Sequence, residues 1–235
     1  VAALSARGAA SVRAAARGAT KAVLPKGVEG VELVLGDTSS VDSALAGVSA
    51  AFLLTPFVPD QVALGTHFID RAKAAGVKRI VKLSAIGCEV EPGIQLGRWH
   101  RAIERHLEAS GLEFTFLRPN NFMQNFVGYY PPDKEGVIYL PWGTGAASFI
   151  DALDVGRYFG NATGRTIRYV DVPEAAARSS MLGAGMPEWM TDGMMELHAI
   201  DKAGYAAAVT DDVATLTGKP ARSFAEYAAE NAASW

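Results

Sequence analysis

His100 is the side chain best typed for moving a proton near neutral pH, and it lies on the stretch Leu96 to Ser110, which reads as a helix. Trp99, Ile103 and Leu107 mark the buried stripe of that helix and place His100 and Arg101 at its margin. Arg101, Glu104, Arg105 and Glu108 form the i,i+3 and i,i+4 charge pairs of a solvated face. His67, His106 and His198 have no metal-ligand spacing with carboxylates or with Cys88, so no metal is expected. Cys88 is the only cysteine and reads as a small strand-end residue, with no disulfide or thiolate zinc site. Phe122, Tyr129, Tyr130 and Trp142 are candidates to line an aromatic substrate pocket, the alternative being that they fill the core.

The elements that position these groups run from Arg79 to Phe126. The apolar run RIVKLSAIG, an amphipathic helix and the run LEFTFLRP spell strand, crossover helix and parallel strand. Such a unit brings Ser84-Ala85 and Pro119 to Asn121 to one sheet edge, where open α/β sheets bind ligands. Further strands are expected at Ser11–Ala16, Val31–Leu35 and Ala50–Leu54. Helices are expected from Ser39 or Ser40, as cap, to Leu45 and over Asp60–Ala75, with Gly76 as the stop. The alternation predicts an α/β fold with a doubly wound parallel sheet. Past Asn120 it fails. A turn-rich loop at Tyr129 to Pro132, strands at Val137–Leu140 and Thr166–Val170, and helices at Asp154–Phe159, within Pro173–Ala207 and over Phe224–Ala233 read as a smaller α+β lobe. The expected domains are residues 1–118, dinucleotide-binding, and 119–235, substrate-binding with some segments returning to the sheet.

Composition narrows the partners. With 235 residues, 49% hydrophobic content and a net charge of −3, the chain can fold on a good core but offers no basic face for nucleic acid or anionic lipid. No run approaches a membrane span and no signal peptide is visible, so the cytoplasm is the expected location. In a doubly wound sheet the central first strand delivers a glycine-rich turn to the pyrophosphate. Val1 opens inside what should be the following helix, and Gly143-Thr144-Gly145 follows the wrong element. A second abrupt junction lies at Gly160-Asn161, where a helix runs straight into NATGRTIRYV. The expectation is a natural chain longer than these residues at the N-terminus and internally, with a mass above 24.8 kDa.

SVRAAARGATKA, LVLGDTSSVDSALAGVSAAFLLTP, KLSAIG, HRAIERHLEASGLEFTFLRPNNFMQNF and SFIDALDV together resemble the NmrA-like, atypical short-chain dehydrogenase/reductase family. The resemblance implies a Rossmann-like fold and a role among NAD(P)H-dependent quinone, azo-dye and triphenylmethane reductases or redox-sensing regulators. It places Arg17 against the 2′-phosphate of NADPH, with Lys21 adding a point charge, a placement that suits a planar guanidinium. NAD-preferring proteins put an acidic residue there, and none follows the strand; NADPH is the expected cofactor, with NADH possible. By the same resemblance Gly36-Asp37 lies beside the adenine, though Asp37 equally suits a helix cap. Thr55-Pro56 lies under the ribose and phosphates. Of Lys82 and Ser84, one reaches the nicotinamide side and the other is structural. Pro119, Asn120 and Asn121 border nicotinamide and substrate, with one asparagine instead capping the helix through Phe126.

The tyrosine and lysine of the Tyr-x-x-x-Lys motif of ordinary short-chain dehydrogenases are both absent between Leu96 and Ser110. Carbonyl reduction thereby loses its usual acid, typically worth 10²- to 10⁴-fold. Quinones, azo groups and cationic dyes need that acid less, and His100 is the remaining candidate for it. The expected function is hydride transfer to an electron-poor aromatic acceptor, by a monomer or homodimer. The alternative is a non-catalytic NADP(H)-sensing regulator.

Overall fold

The computed structural model describes Ser5 and residues 11–148, 150–151 and 168–234. The expected helix end at 2–7, the helix at 154–159, the junction at 160–161 and the first residues of the strand at 166–170 lie outside the described residues, Ser5 apart. The chain divides into two compact units, Val1–Arg118 and Pro119–Trp235.

In the first unit β1 (Val12–Ala16) and β2 (Val28–Glu32) pair in parallel. The strands β3 (Ala50–Leu53), β4 (Arg79–Leu83) and β5 (Glu113–Leu117) form a second parallel ladder in that order. Each ladder thus gathers its strand C-termini along one edge. Among the described residues no ladder joins the two sheets. The helix α1 (Thr38–Leu45) connects β2 to β3, and α2 (Gln61–Ala74) and α3 (Gln95–Ala109) make the crossovers of the second ladder. Val41, Leu45, Leu53, Phe68, Ile69, Ile80, Ile103 and Leu107 interlock as the buried core. The α2–α3 approach depends on Gly65, where a Cβ would stand 2.7 Å from Ile103 Cδ1, inside van der Waals contact.

Two sequence expectations shift here. The strand expected at Val31–Leu35 lies at Val28–Glu32, because the five-residue β1 runs out at the Ala16–Glu32 pair. Leu33 and Leu35 leave the ladder and pack on the core instead. The cap of α1 is Asp37 rather than Ser39 or Ser40: its carboxylate accepts from Ser40 N at 2.8 Å and from Ser39 Oγ at 2.8 Å. Ser40 Oγ instead accepts from Val34 N.

In the second unit β6 (Val137–Leu140) pairs in parallel with β9 (Arg168–Asp171), and β7 (Ala146–Ala147) antiparallel with β8 (Ile150–Asp151). Its helices are α4 (Asn125–Gly128), α5 (Glu174–Gly183), α6 (Glu188–Lys202), α7 (Asp212–Thr217) and α8 (Phe224–Glu230). A core of Phe126, Ile138, Leu140, Trp142, Phe224 and Tyr227 holds them together. Gly145 serves this packing: a Cβ there would collide with the backbone carbonyl of Asp201. Neither Asn120 nor Asn121 caps the short α4, which starts after Gln124 with no side-chain cap.

Candidate functional site

A buried polar cluster sits where β4 ends against α3. Lys82 and Ser84, two residues apart, lie on one face of the strand by its period of two, and both are buried. Both side chains enter the same cluster rather than opposite faces of the strand. Lys82 Nζ donates to Leu83 O at 3.0 Å and to His100 Nδ1 at 2.8 Å. No carboxylate lies within ion-pair distance of it among the described residues, and burial lowers its pKa to about 8. Burial, joined by the Lys82 charge, lowers His100 to about 4, so its imidazole is neutral at pH 7.

With Nδ1 accepting, the neutral ring carries its proton on Nε2. Gln61 faces that nitrogen, its Nε2 at 3.4 Å, while its Oε1 is buried without a partner. Turning the amide over sets Oε1 as an acceptor against the ring N–H. His106, on the same helix, pairs with Asp70 at 2.7 Å and stands apart from the cluster.

Glu104 departs most from its expected place. The i,i+4 pattern puts it on a solvated face, yet it is fully buried. Arg118 forks onto it, Nε to Oε1 at 2.9 Å and Nη2 to Oε2 at 2.8 Å, and Arg101 adds a third bond at 3.1 Å. Burial pushes its pKa up, but the Arg118 fork with Ser84 and Cys88 prevails and holds it at about 2. Beside it Cys88 is buried, 3.8 Å from Ser84 Oγ, and burial reinforced by the Glu104 charge raises its thiol to about 11. It is an inert thiol at neutral pH.

At the C-terminal end of β1, Arg17 and Lys21 are exposed, and their side chains make no hydrogen bond or ion pair with the described residues. Gly18, at φ 72, donates its N–H to Glu32 Oε2 at 2.8 Å. Sequence reading missed this carboxylate, because it reaches the turn from the neighbouring strand through the parallel register. After β2 the Asp37 carboxylate is engaged as the α1 cap, with Gly36 before it. After β3 Thr55 Oγ1 is buried without a partner, next to Pro56.

The second unit holds the remaining candidates. Asn121 Nδ2 donates to Asp201 Oδ1 at 3.0 Å, and Asn120, following Pro119, donates to Ser148 Oγ at 2.6 Å and Ala206 O at 2.8 Å. Phe122 and Tyr129 are exposed, and Tyr130 packs against the core. Trp142 is buried in the core, the alternative the sequence left open, and its Nε1 donates to His198 Nδ1 at 2.7 Å. The inward face of α6 carries buried Thr191, His198 and Asp201, which no hydrophobic stripe could have revealed. Burial raises Asp201 to about 7 against the opposing Asn121 bond, and burial lowers His198 to about 4.

A raised carboxylate pKa favours the folded state at low pH. The Asp201 contribution is therefore full below pH 4 and is lost as pH rises toward 7. Asp201→Asn keeps an acceptor for Asn121 and removes the buried charge. It is expected to stabilise the protein by about 2 kcal/mol at pH 8 and by little at pH 4, read as the difference between urea midpoints.

A profile of the NmrA-like family matches residues 1–163. The chain belongs to the NmrA-like family. The resemblance read from the strand-end motifs is thereby borne out. Within reach of the family, the NAD(P)H azoreductase of Xenophilus azovorans is 35% identical over 241 aligned residues, covering 88% of this chain and 84% of that protein. Two solved folds agree with the α/β architecture. The triphenylmethane reductase of Citrobacter sp. complexed with NADP(H) superposes with a TM-score of 0.79 at 20% identity, over 94% of this chain and 90% of that one. The quinone oxidoreductase QOR2 of Escherichia coli complexed with NADPH gives 0.77 at 20% identity, over 87% and 84%. Among the described residues no cluster of metal-ligating side chains occurs, and no helix is long and apolar enough to cross a membrane.

Proposed function

We propose that this family member is an NAD(P)H-dependent reductase that transfers hydride to an electron-poor aromatic acceptor such as a quinone or an azo compound. The observation that carries the reading is the pair of unpartnered cations, Arg17 and Lys21, at the C-terminal end of β1 in a chain 35% identical to an NAD(P)H azoreductase. A bidentate guanidinium on an exposed, uncommitted side chain suits the 2′-phosphate of NADPH. The unpartnered Thr55 Oγ1 at the end of β3 suits a ribose or phosphate oxygen. In this reading Gly36, Asp37, Pro56, Lys82, Ser84, Pro119 and Asn120 complete the cofactor contacts, and Asn121, Phe122, Tyr129 and Tyr130 meet the substrate.

The coenzyme supplies the hydride. The protein supplies alignment of donor and acceptor, and a surrounding from which water is largely excluded. The first unit is the cofactor domain and the second the substrate lobe, in a cytoplasmic protein acting as a monomer or homodimer. Steady-state NADPH oxidation with a panel of quinones and azo dyes tests this. Saturable turnover with at least one acceptor is expected, and binding of NADPH with no turnover on any of them favours the NADP(H)-sensing regulator instead.

A further inference from the structure

We propose that Lys82 and His100 are the proton source for reduction, His100 giving its Nε2 proton to the reduced acceptor while Lys82 passes one of its own to Nδ1. This rests on the reductase reading above. A buried lysine without a carboxylate partner is a costly arrangement, and such groups concentrate at functional sites. Here the ammonium makes two bonds, one to a backbone carbonyl and one to the imidazole. The second bond fixes the tautomer that leaves Nε2 as the donor. The couple lies at the C-terminal end of β4, the edge at which open α/β sheets act on ligands.

The proton balance closes. Hydride addition to a quinone or an azo group leaves an oxygen or nitrogen anion. The Nε2–H bond of His100 breaks as the new O–H or N–H bond forms, and an Nζ–H bond of Lys82 breaks as Nδ1–H forms. His100 ends neutral in its other tautomer, Lys82 ends as a neutral amine, and water reprotonates it after product leaves. The groups around the couple are set for this. Glu104 is ionised and held by Arg118 and Arg101, and Cys88 stays a thiol, so neither competes for the transferred proton near pH 7, while Glu89 lies 3.5 Å from Arg118. Gln61, uncharged, is the resting acceptor for Nε2–H through Oε1 once its amide is turned over.

Lys82 donates only while protonated, so kcat on a quinone is expected to fall as pH rises through about 8. A cationic triphenylmethane dye supplies an internal control, because hydride alone neutralises it and no proton is needed. Lys82→Met is expected to lower the ratio of quinone to dye turnover by at least about tenfold and to abolish the alkaline limb. Equal losses on both acceptors, or a limb that persists in the variant, overturn the relay while leaving the reductase reading intact. Absence of wild-type turnover on every acceptor overturns that reading instead. Nitrogen-15 NMR of His100 gives a second test independent of turnover. A neutral Nε2–H tautomer down to about pH 5, with Nδ1 responding as Lys82 titrates, is expected, and an Nδ1–H tautomer overturns the relay.

Discussion

Arg17→Ala is expected to weaken NADPH binding by about 10- to 100-fold while leaving NADH within about threefold. The magnitude is that of losing charge-assisted hydrogen bonds to a phosphate, about 1.5–3 kcal/mol. Arg17 has no partner among the described residues to hold it elsewhere, so its loss disturbs nothing in the fold. The Glu32 carboxylate on Gly18 N–H sharpens the expectation, since it sets a negative group beside the place a phosphate dianion is to occupy. Glu32→Gln is accordingly expected to shift preference toward NADPH several-fold, opposite in sign to Arg17→Ala. Fluorescence titration of both nucleotides against the two variants reads the effect. Equal weakening of NADPH and NADH by Arg17→Ala contradicts the assignment of Arg17 to the 2′-phosphate.

Glu104→Gln is expected to destabilise the protein by about 3 kcal/mol. The carboxylate is fully buried, and its removal leaves the Arg118 and Arg101 guanidinium groups without their shared anion. Arg118 retains some access to water, which places the loss at the lower end of the range for broken buried pairs. The pH dependence has a definite sign. A carboxylate held at about 2 in the fold, against an ordinary 4.5, adds stability that is complete above pH 4.5 and is lost as pH falls toward 2. Over urea unfolding followed from pH 7 to pH 3, the gap between the wild-type protein and the variant is expected to narrow steadily. A constant gap across that range contradicts the ion-pair account.

The same residue shows where sequence reading stops. Arg101, Glu104, Arg105 and Glu108 match a solvated helix face by spacing, and Arg105 and Glu108 do lie outside. Periodicity along one helix carries no information about Arg118, which arrives from the end of β5 and converts an outward position into a buried pair. Glu32 at the Gly18 turn and Gln61 beside His100 are likewise set by neighbours distant in sequence. By contrast β4, with RIVKL bounded by Lys78 and Ser84, and β6, with VIYL after Gly136, were legible because short β-branched runs between breakers have few alternatives. Lys82 was legible as a strand-end residue but not as a buried one. Its burial follows from His100, which supplies the acceptor that makes a carboxylate unnecessary.

The strand ends of the first unit are expected to hold a pyridine nucleotide. Isothermal titration calorimetry of the full-length protein with NADPH and NADH measures that directly. Saturable binding of one nucleotide per chain, tighter for NADPH than for NADH, is the expected result, and a folded protein that takes up neither nucleotide contradicts it.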